Sequence, residues 1–331
     1  MVLMNPALPP ALSAALETAL EGVQRKTLAA SAQKMSEGYR QGQTSRGIVS
    51  PQDASAYAVA RMPATYAASA AVFARLQEAM PELSPASLLD VGAGTGAASW
   101  AAVTAWPQIG SLTMLDHNPA LRNLARSLAE AGPAVLAGAE ILGGELGSVD
   151  TKADLIVASY VLAELPQDKA ACVAVDLWRW SASALVLIEP GTPQGFARIR
   201  AARAALIAAG AHVAAPCTHD AACPMRSVGE SRSDQSKVDD WCHFSQRLPR
   251  SRDHMLLKDA SVPFEDERYA YVAVTRETVA MGARILAPPL ETKPGLTFKL
   301  CDETGLRAQF VAARDKDEYR RVRKRMWGDL F

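Results

Sequence analysis

The spacing of apolar residues predicts helices at the start of the chain. Four apolar residues recur on one face of a helix: Leu12, Leu16, Leu20 and Val23. A further helix is predicted for PATYAASAAVFARLQEAM, because its Pro63 would occupy a first turn, where proline is tolerated. The segment GQTSRGIVSPQ predicts a loop between these stretches. We therefore expect an N-terminal helical region over residues 1–80.

After this region, short apolar runs alternate with amphipathic helices. ASLLDVG, SLTMLD, ADLIVASYVL and SALVLIEPG predict buried parallel strands. The intervening NPALRNLARSLAEAG has Asn118 as a helix N-cap, Pro119 at the first helical position and Gly132 at its end. This alternation is typical of a doubly wound α/β sheet. We expect a Rossmann-like core over residues 81–200, and a C-terminal part over residues 201–331 that completes the sheet.

The strongest motif is LLDVGAGTGAASWAA. A strand ends at Asp90, and Gly92, Gly94 and Gly96 then lead into a helix, so the backbone can turn tightly and approach a ligand without a Cβ in the way. Asp116 ends the next strand, where an acid can accept hydrogen bonds from ribose hydroxyls. Together these features predict a nucleoside-binding site.

The glycine spacing favours one nucleoside ligand. The dinucleotide fingerprint is G-x-G-x-x-G, whereas here G-x-G-x-G follows Asp-Val, which resembles motif I of class I S-adenosylmethionine-dependent methyltransferases. S-adenosylmethionine is therefore favoured over NAD, and a domain that keeps the glycines only for its turn is the alternative. In the methyltransferase interpretation, Asp90 and the three glycines shape the methionine pocket and Asp116 holds the ribose. The segment SYVLAELP, which starts at Ser159, closes the site.

The residues at the end of the strand ADLIVASYVL identify no methyl acceptor. No Asn-Pro-Pro-Tyr-type motif, which would orient an amino group, follows this strand. Ser159, Tyr160 and Glu164 have the character of ordinary strand-end residues. Catalytic residues therefore stay unassigned, and whether the protein transfers a methyl group stays open.

Composition and charge narrow the class of protein. A chain of 331 residues, 49% of them apolar, can bury a large core. Lys plus Arg and Asp plus Glu balance at 35 each, so any nucleic-acid surface must be a local patch. No apolar run approaches bilayer-spanning length, and the first residues resemble neither a secretory signal nor an Arg-rich transit peptide. These features predict a cytoplasmic protein, in which clustered cysteines bind metal more often than they form disulfides.

Four of the five cysteines lie after the last of these predicted strands, SALVLIEPG. Cys172 precedes them on an apolar helix face and is expected to be a buried, inert thiol. The other four are Cys217, Cys223, Cys242 and Cys301. Four thiolates suit either tetrahedral zinc or an iron-sulfur cube, and His219 or His243 can replace one thiolate in a zinc site. Free structural thiols are the third alternative.

Several segments together resemble one known family. DVGAGTG, EPGTPQGF, the C-x5-CP segment, DWCHFSQR and the ending RRVRKRMWGDLF are similar to the methyltransferase-like small-subunit ribosome assembly proteins of mitochondria and their shorter bacterial relatives. The resemblance runs from about Arg61 to the C-terminus. Between Cys223 and Cys242, RSVGESRSDQSKVDD indicates a loop insertion. The transit peptide of the mitochondrial members is missing, which suits a bacterial cytoplasm.

This resemblance implies a fold, partners and cofactors. It implies a class I methyltransferase fold with a C-terminal metal-binding extension, and association with the small ribosomal subunit and its rRNA during assembly. It also implies a [4Fe-4S] cluster, with zinc as the alternative, held by four ligands: Cys217, Cys223, Cys242 and Cys301. We expect an assembly factor that is monomeric off the ribosome and binds S-adenosylmethionine. An active methyltransferase on rRNA or a ribosomal protein is the alternative.

A basic run near the C-terminus predicts a phosphate-binding surface. Its members are Arg320, Arg321, Arg323, Lys324 and Arg325, and Trp327 follows them. Further arginines flank the cysteines: Arg226, Arg247, Arg250 and Arg252. A solvated helix end is the plainer interpretation of such a run. With the flanking arginines, a local face that binds phosphates without selecting sequence is expected.

Overall fold

The computed structural model describes residues 6–40, 44–145, 151–225, 240–279 and 282–331. Within these ranges three α-helices precede the first strand: α1 (Pro10–Ala19), α2 (Arg25–Arg40) and α3 (Pro51–Ala79). Helix α1 buries Leu12 and Leu16, in agreement with the helical spacing of these residues.

Helix α3 begins well before Pro63, so the predicted start of this helix is wrong. Ser50 caps the helix by accepting a hydrogen bond from the Asp53 backbone N–H, and the Asp53 carboxylate accepts one from the Ser50 backbone in return. This capping box makes Pro51 the first-turn proline and leaves Pro63 inside the helix. The interior proline is accommodated although it supplies no N–H to the helix.

Eight strands form the larger sheet. They are β1 (Ser87–Val91), β2 (Ser111–Asp116), β3 (Glu140–Gly143), β4 (Ala153–Ser159), β5 (Ser181–Pro190), β6 (His212–Ala215), β7 (Phe244–Pro249) and β8 (Phe264–Thr275). Their order is β3-β2-β1-β4-β5-β8-β6, and β7 also pairs with β8. Strands β1 to β5 pair in parallel, whereas β8 runs antiparallel to β5, β6 and β7. The expected mostly parallel α/β sheet is confirmed.

The central strands are apolar because both faces of the sheet are covered. The strand β5 residues Ala184 to Ile188 are fully buried, and so are most residues of β1 and β4.

The helices after α3 are α4 (Ala97–Ala105), α5 (Pro119–Glu130), α6 (Ala134–Ala137), α7 (Ala170–Trp180), α8 (Pro193–Ala208), α9 (Arg252–Leu257) and α10 (Lys316–Val322). Cys172 is exposed on α7, so the expectation of a buried thiol there is wrong. Other side chains of α7, including Leu177 and Trp178, form its buried face.

A smaller antiparallel sheet follows the larger one. Its strands are β9 (Arg284–Ile285), β10 (Leu290–Thr292), β11 (Gly295–Asp302) and β12 (Gly305–Ala312). One face of β11 carries Phe298 and Leu300, which are fully buried with Val322 of α10 in a separate apolar cluster. The last turn of the chain returns to this sheet, where Leu330 forms a bridge with Arg284. Among the described residues, no helix is both long and apolar enough to cross a membrane.

Candidate functional site

The glycine turn lies at the edge of the sheet where β1, β2 and β4 end. Gly92 and Gly94 line a cavity of about 120 Å³ there, with φ angles of 66° and 56°. Gly96 has a φ of 82° and is the N-cap of α4. Left-handed backbone of this kind favours glycine, and a Cβ at Gly92 would also collide with the Val161 side chain. The turn therefore exposes backbone atoms to the cavity at positions that have no side chain.

Four of the six residues predicted to bind the nucleoside line this cavity: Gly92, Gly94, Asp116 and Ser159. Asp116 is held at the end of β2 because its carboxylate accepts hydrogen bonds from the backbone N–H groups of Gly94, at 2.8 Å, and Asn118, at 2.7 Å. Gly96 lies behind the turn against Met114. The carboxylate of Asp116 is thus fixed beside the glycine turn.

Asp90 is fully buried and does not line the cavity. Its carboxylate accepts hydrogen bonds from the backbone N–H of Ser99, at 3.0 Å, and from the Ser99 hydroxyl, at 2.7 Å. Burial raises the pKa of Asp90 to about 6, although the Ser99 hydrogen bonds oppose this shift. Asp90 therefore ties β1 to α4 and shapes the cavity by holding the turn between them.

A short segment, residues 44–48, covers the cavity, and we call it the strap. The backbone N–H and hydroxyl of Ser45 donate to the Glu164 carboxylate, at 3.1 and 2.8 Å. The Asn118 side-chain amide donates to the carbonyls of Ser45 and Ile48, both at 2.9 Å. The cavity is smaller than the roughly 300–1,000 Å³ of ordinary ligand pockets. The strap therefore forms part of the cavity wall, which Thr44, Ser45 and Arg46 line.

A buried glutamate supports the strap from below. Glu189 is fully buried near the end of β5, and its carboxylate accepts a hydrogen bond from the Leu162 backbone N–H at 2.8 Å. This contact caps the 3-10 helix Leu162–Glu164, which presents Glu164 to the strap. Burial raises the pKa of Glu189 to about 8. Glu189 is not among the residues predicted from the sequence, although an acid inside the apolar run SALVLIEPG is a visible signal.

Tyr160 departs from an ordinary strand-end residue. It lines the cavity with a φ of 62°, a backbone conformation that is strained for a residue with a Cβ. Its hydroxyl donates to the Glu267 carboxylate at 2.8 Å, and Arg61 pairs with the same carboxylate at 3.2 Å. Burial and the Glu267 charge raise the pKa of Tyr160 well above its usual value. The phenol therefore stays protonated, held by partners that no local sequence signal indicates.

The second predicted site lies beyond β6. Four cysteines from separate segments line one pocket: Cys217, Cys223, Cys242 and Cys301. Cys217 and Cys223 follow β6, Cys242 precedes β7, and Cys301 lies in β11. Across the described ranges, however, no group of three or more His, Cys, Asp or Glu side chains is arranged to hold a metal ion. The fold brings the four thiols to one pocket without closing them into a coordination shell.

Burial changes the chemistry of these thiols. It raises the pKa of Cys301 to about 12, that of Cys242 well above its ordinary value, and that of Cys223 in the same direction. The charge of neighbouring cysteines adds to each shift, because thiolates in one pocket repel one another. Burial and mutual repulsion therefore favour the protonated form of these three thiols.

The two histidines near the cysteines differ in position. His219 Nε2 lies 3.8 Å from Cys301 Sγ, at the pocket. His243 stacks on Trp241 with ring centroids 5.2 Å apart and meets Trp327 edge-on at 5.0 Å. His219 therefore remains the candidate for a fourth zinc ligand, whereas His243 belongs to an aromatic stack.

Several arginines of the predicted basic surface form ion pairs with acidic side chains. Four of its arginines pair with carboxylates: Arg247 with Asp266, Arg250 with Glu265, Arg320 with Asp317 and Arg321 with Glu318. Arg323 and Lys324 are exposed and have no ion-pair partner within the described ranges. Arg226 lies outside the described residues. Trp327 is half-buried against His243, so it is packed inside the protein rather than presented to a base.

Comparison with known proteins adds an independent finding. Residues 51–331 match a family model described as "Mitochondrial small ribosomal subunit Rsm22". The chain is 28% identical to the human "Ribosome assembly protein METTL17, mitochondrial", over 83% of this chain and 61% of that protein. It is 27% identical to the "Rsm22-cox11 tandem protein 2, mitochondrial" of Schizosaccharomyces pombe, over 87% of this chain and 44% of that protein. The chain thus spans less than two thirds of the length of these relatives.

Among solved structures, the chain resembles the magnesium protoporphyrin IX methyltransferase of Synechocystis PCC 6803 with bound S-adenosylmethionine. The TM-score is 0.42 at 15% identity, over 65% of this chain and 80% of that chain.

These matches contradict the expectation of a cytoplasmic protein. The matched family and the named human and yeast relatives are all described as mitochondrial. The cytoplasmic expectation depended on the character of the first residues, which lie outside the matched region.

Asn118 has two roles, because it caps α5 and also holds the strap. We expect substitutions at this position to separate the two roles. Asn118→Ala removes both the N-cap of α5 and the donors to the strap, so the free energy of unfolding should fall by about 1 to 3 kcal/mol. Trypsin cleavage after the exposed Arg46 should also become faster. Urea unfolding and timed proteolysis measure the two effects.

Asn118→Ser is the matched control. Serine is a good N-cap, but its shorter side chain does not reach the Ser45 and Ile48 carbonyls. This variant should therefore keep most of the stability and still show faster cleavage at Arg46. Unchanged cleavage in both variants would contradict the role of Asn118 in holding the strap.

Proposed function

Because the chain belongs to the family of the mitochondrial small ribosomal subunit protein Rsm22, we propose that it is a small-subunit ribosome assembly protein that binds S-adenosylmethionine. The observation that carries this proposal is the family match, which covers residues 51–331 and so includes the glycine turn, Asp116 and all four clustered cysteines. The description of the human relative as a ribosome assembly protein supports the same function.

The strand order of the larger sheet favours a methyltransferase-type domain and differs from that of a dinucleotide-binding domain. The dinucleotide-binding sheet has the order 3-2-1-4-5-6, whereas here the reversed strand β8 lies between β5 and β6. The ligand would lie against the glycine turn, with its ribose hydroxyls beside the Asp116 carboxylate. Each Asp116 carboxylate oxygen can accept a further hydrogen bond, so this pose is compatible with the bonds from the Gly94 and Asn118 N–H groups. Ser159 and Tyr160 would close the far side of the cavity.

Substitution at Gly94 tests S-adenosylmethionine binding. A Cβ at Gly94 meets only Tyr57 at 4.0 Å, so an arginine side chain would extend from this position into the cavity. Gly94→Arg should therefore abolish the binding heat that calorimetry detects with S-adenosylmethionine or its demethylated product. Gly210→Arg is the matched control, because Gly210 has a φ of 83° with open space around it and lies away from the cavity.

The outcome separates the two nucleoside ligands. Wild-type protein and Gly210→Arg should bind S-adenosylmethionine alike, and neither should bind NAD. Clear binding of NAD together with no binding of S-adenosylmethionine would refute this part of the proposal.

We further propose that Cys217, Cys223, Cys242 and Cys301 hold a [4Fe-4S] cluster. Their placement around one pocket and the softness of thiolate ligands support this assignment. Zinc is the alternative, with His219 available beside Cys301. Bound through four thiolates, such a group would cross-link the loop after β6, the segment before β7 and strand β11, and so couple folding to metal binding.

Iron analysis of cysteine variants tests the cluster. Changing any of the four cysteines to serine should lower the iron content of anaerobically purified protein by more than half and should lower its melting temperature. Cys172→Ser is the matched control, because Cys172 is exposed on α7 and should leave iron unchanged. Stoichiometric zinc without iron in the wild type would favour the zinc alternative.

Association with the ribosome is proposed to use the free end of the basic run. Arg323 and Lys324 are exposed without acidic partners among the described residues, so they are available to phosphates. Each phosphate contact displaces condensed counterions, which makes affinity for rRNA fall with salt. Changing both residues to glutamine should weaken binding to small-subunit rRNA fragments and flatten the salt slope by about 0.7 to 0.9 for each lost contact.

A matched control carries the same change of charge. Arg320→Gln with Arg321→Gln removes two cations that already pair with Asp317 and Glu318, so it should affect rRNA binding less. The measurement is affinity over a salt series for wild type and both double variants. Binding that is undetectable or independent of salt in all three proteins would contradict the role of this run in rRNA binding.

A further inference from the structure

We infer that Arg203 supplies the counter-charge of the cysteine pocket, so that its buried guanidinium stabilises a metal group bound by the four thiolates. This inference rests on the proposed metal site. Arg203 would be a positioning residue that does not itself bind the metal. Its charge would affect the rate of metal loss and the reduction potential of a cluster.

Arg203 lies on α8 and is 5% exposed. It lines the same pocket as the four cysteines. Its guanidinium donates to the backbone carbonyls of His219 and Ala221, at 2.7 and 2.9 Å. Both carbonyls belong to the loop that joins Cys217 to Cys223. The side chain therefore holds the cysteine loop and places its charge beside the thiols.

The partners of this guanidinium are neutral. Among the described residues Arg203 forms no ion pair, and its Nε has no hydrogen-bond partner. Burying a cation without an anion is unfavourable, because carbonyl dipoles replace only part of its hydration. Four protonated thiols carry no charge and cannot compensate it. Four thiolates around zinc or an oxidised [4Fe-4S] core carry a net charge of about −2, which does compensate it.

A second buried arginine at this pocket is already paired. Arg284 is 1% exposed and also lines the pocket, but its guanidinium pairs with Glu78 at 3.2 Å. The Arg284–Glu78 pair has no net charge, so it does not compensate the positive charge of Arg203. Arg284 also donates to the carbonyls of Pro216 and Gly328, and its replacement would disturb the fold. Arg200 also lines the pocket but is only half-buried, so Arg203 is the buried arginine whose charge can be tested.

Two measurable consequences follow for a metal group in this pocket. Removing the positive charge destabilises an anionic site, so metal should be lost faster to a chelator. Reduction of a cluster by a one-electron donor such as dithionite adds one negative charge without breaking a bond. A neighbouring cation favours that state, and its removal should move the reduction potential to a more negative value.

The test compares four full-length proteins purified without oxygen: wild type, Arg203→Gln, Arg203→Lys and Arg198→Gln. Arg198 is the matched control, because it lies on the same helix, donates to the Leu165 carbonyl and does not line the pocket. The measurements are metal content, the rate of metal loss to a chelator, and the potential from a dithionite titration followed by visible absorption.

We expect Arg203→Gln to lose metal several-fold faster and to show a more negative potential. Arg203→Lys keeps the charge and should stay close to wild type in both measurements, as should Arg198→Gln. If Arg203 only clasps the loop, both Arg203 variants should lose metal faster and the potential should not move. That result would overturn the inference, and so would wild-type behaviour of Arg203→Gln.

The design separates this inference from the proposed cluster. If the wild type contains zinc and no iron, the proposed cluster fails, and the chelator rates of the four proteins still decide the role of Arg203. If the wild type contains no metal, both proposals fail. If Arg203→Gln does not fold, Arg203→Lys decides alone: wild-type metal retention supports the counter-charge, and rapid loss overturns it.

Discussion

The buried guanidinium of Arg284 joins three distant parts of the chain, and the cysteine pocket depends on this junction. It donates to the carbonyls of Pro216 and Gly328 and pairs with Glu78 at the end of α3. A cation that is 1% exposed is stable only with such partners, so these three segments must stay together. Cys217 follows Pro216, and Cys301 faces Arg284 in the β9–β11 register. One buried charge therefore positions two of the four thiols.

The end of β5 connects the cysteine pocket with the glycine turn. On one side, Glu189 caps the 3-10 helix whose Glu164 holds the strap over the cavity at the glycine turn. On the other side, the Gly191 carbonyl accepts a hydrogen bond at 2.9 Å from the indole N–H of Trp241, next to Cys242. The two candidate sites thus share the support of one buried strand.

Much of the larger sheet could be predicted from the sequence, because its determinants are local. Apolar runs without polar interruption indicate strands that are covered on both faces, and β1, β2, β4 and β5 lie where such runs occur. The Asn118 N-cap depends on residues within one helical turn. The glycine turn likewise follows from backbone conformations that Gly92, Gly94 and Gly96 adopt without strain.

What the sequence by itself determined is therefore the parallel core, the glycine turn and the chemical types of the candidate ligands. Only the tertiary structure decided which distant side chains meet. Ser45 contacts Glu164, Tyr160 contacts Glu267, and Arg203 lines the pocket with Cys301, each across a separation that no local pattern encodes. These pairings depend on the order and register of the strands and on helix packing, which place residues side by side regardless of their distance along the chain.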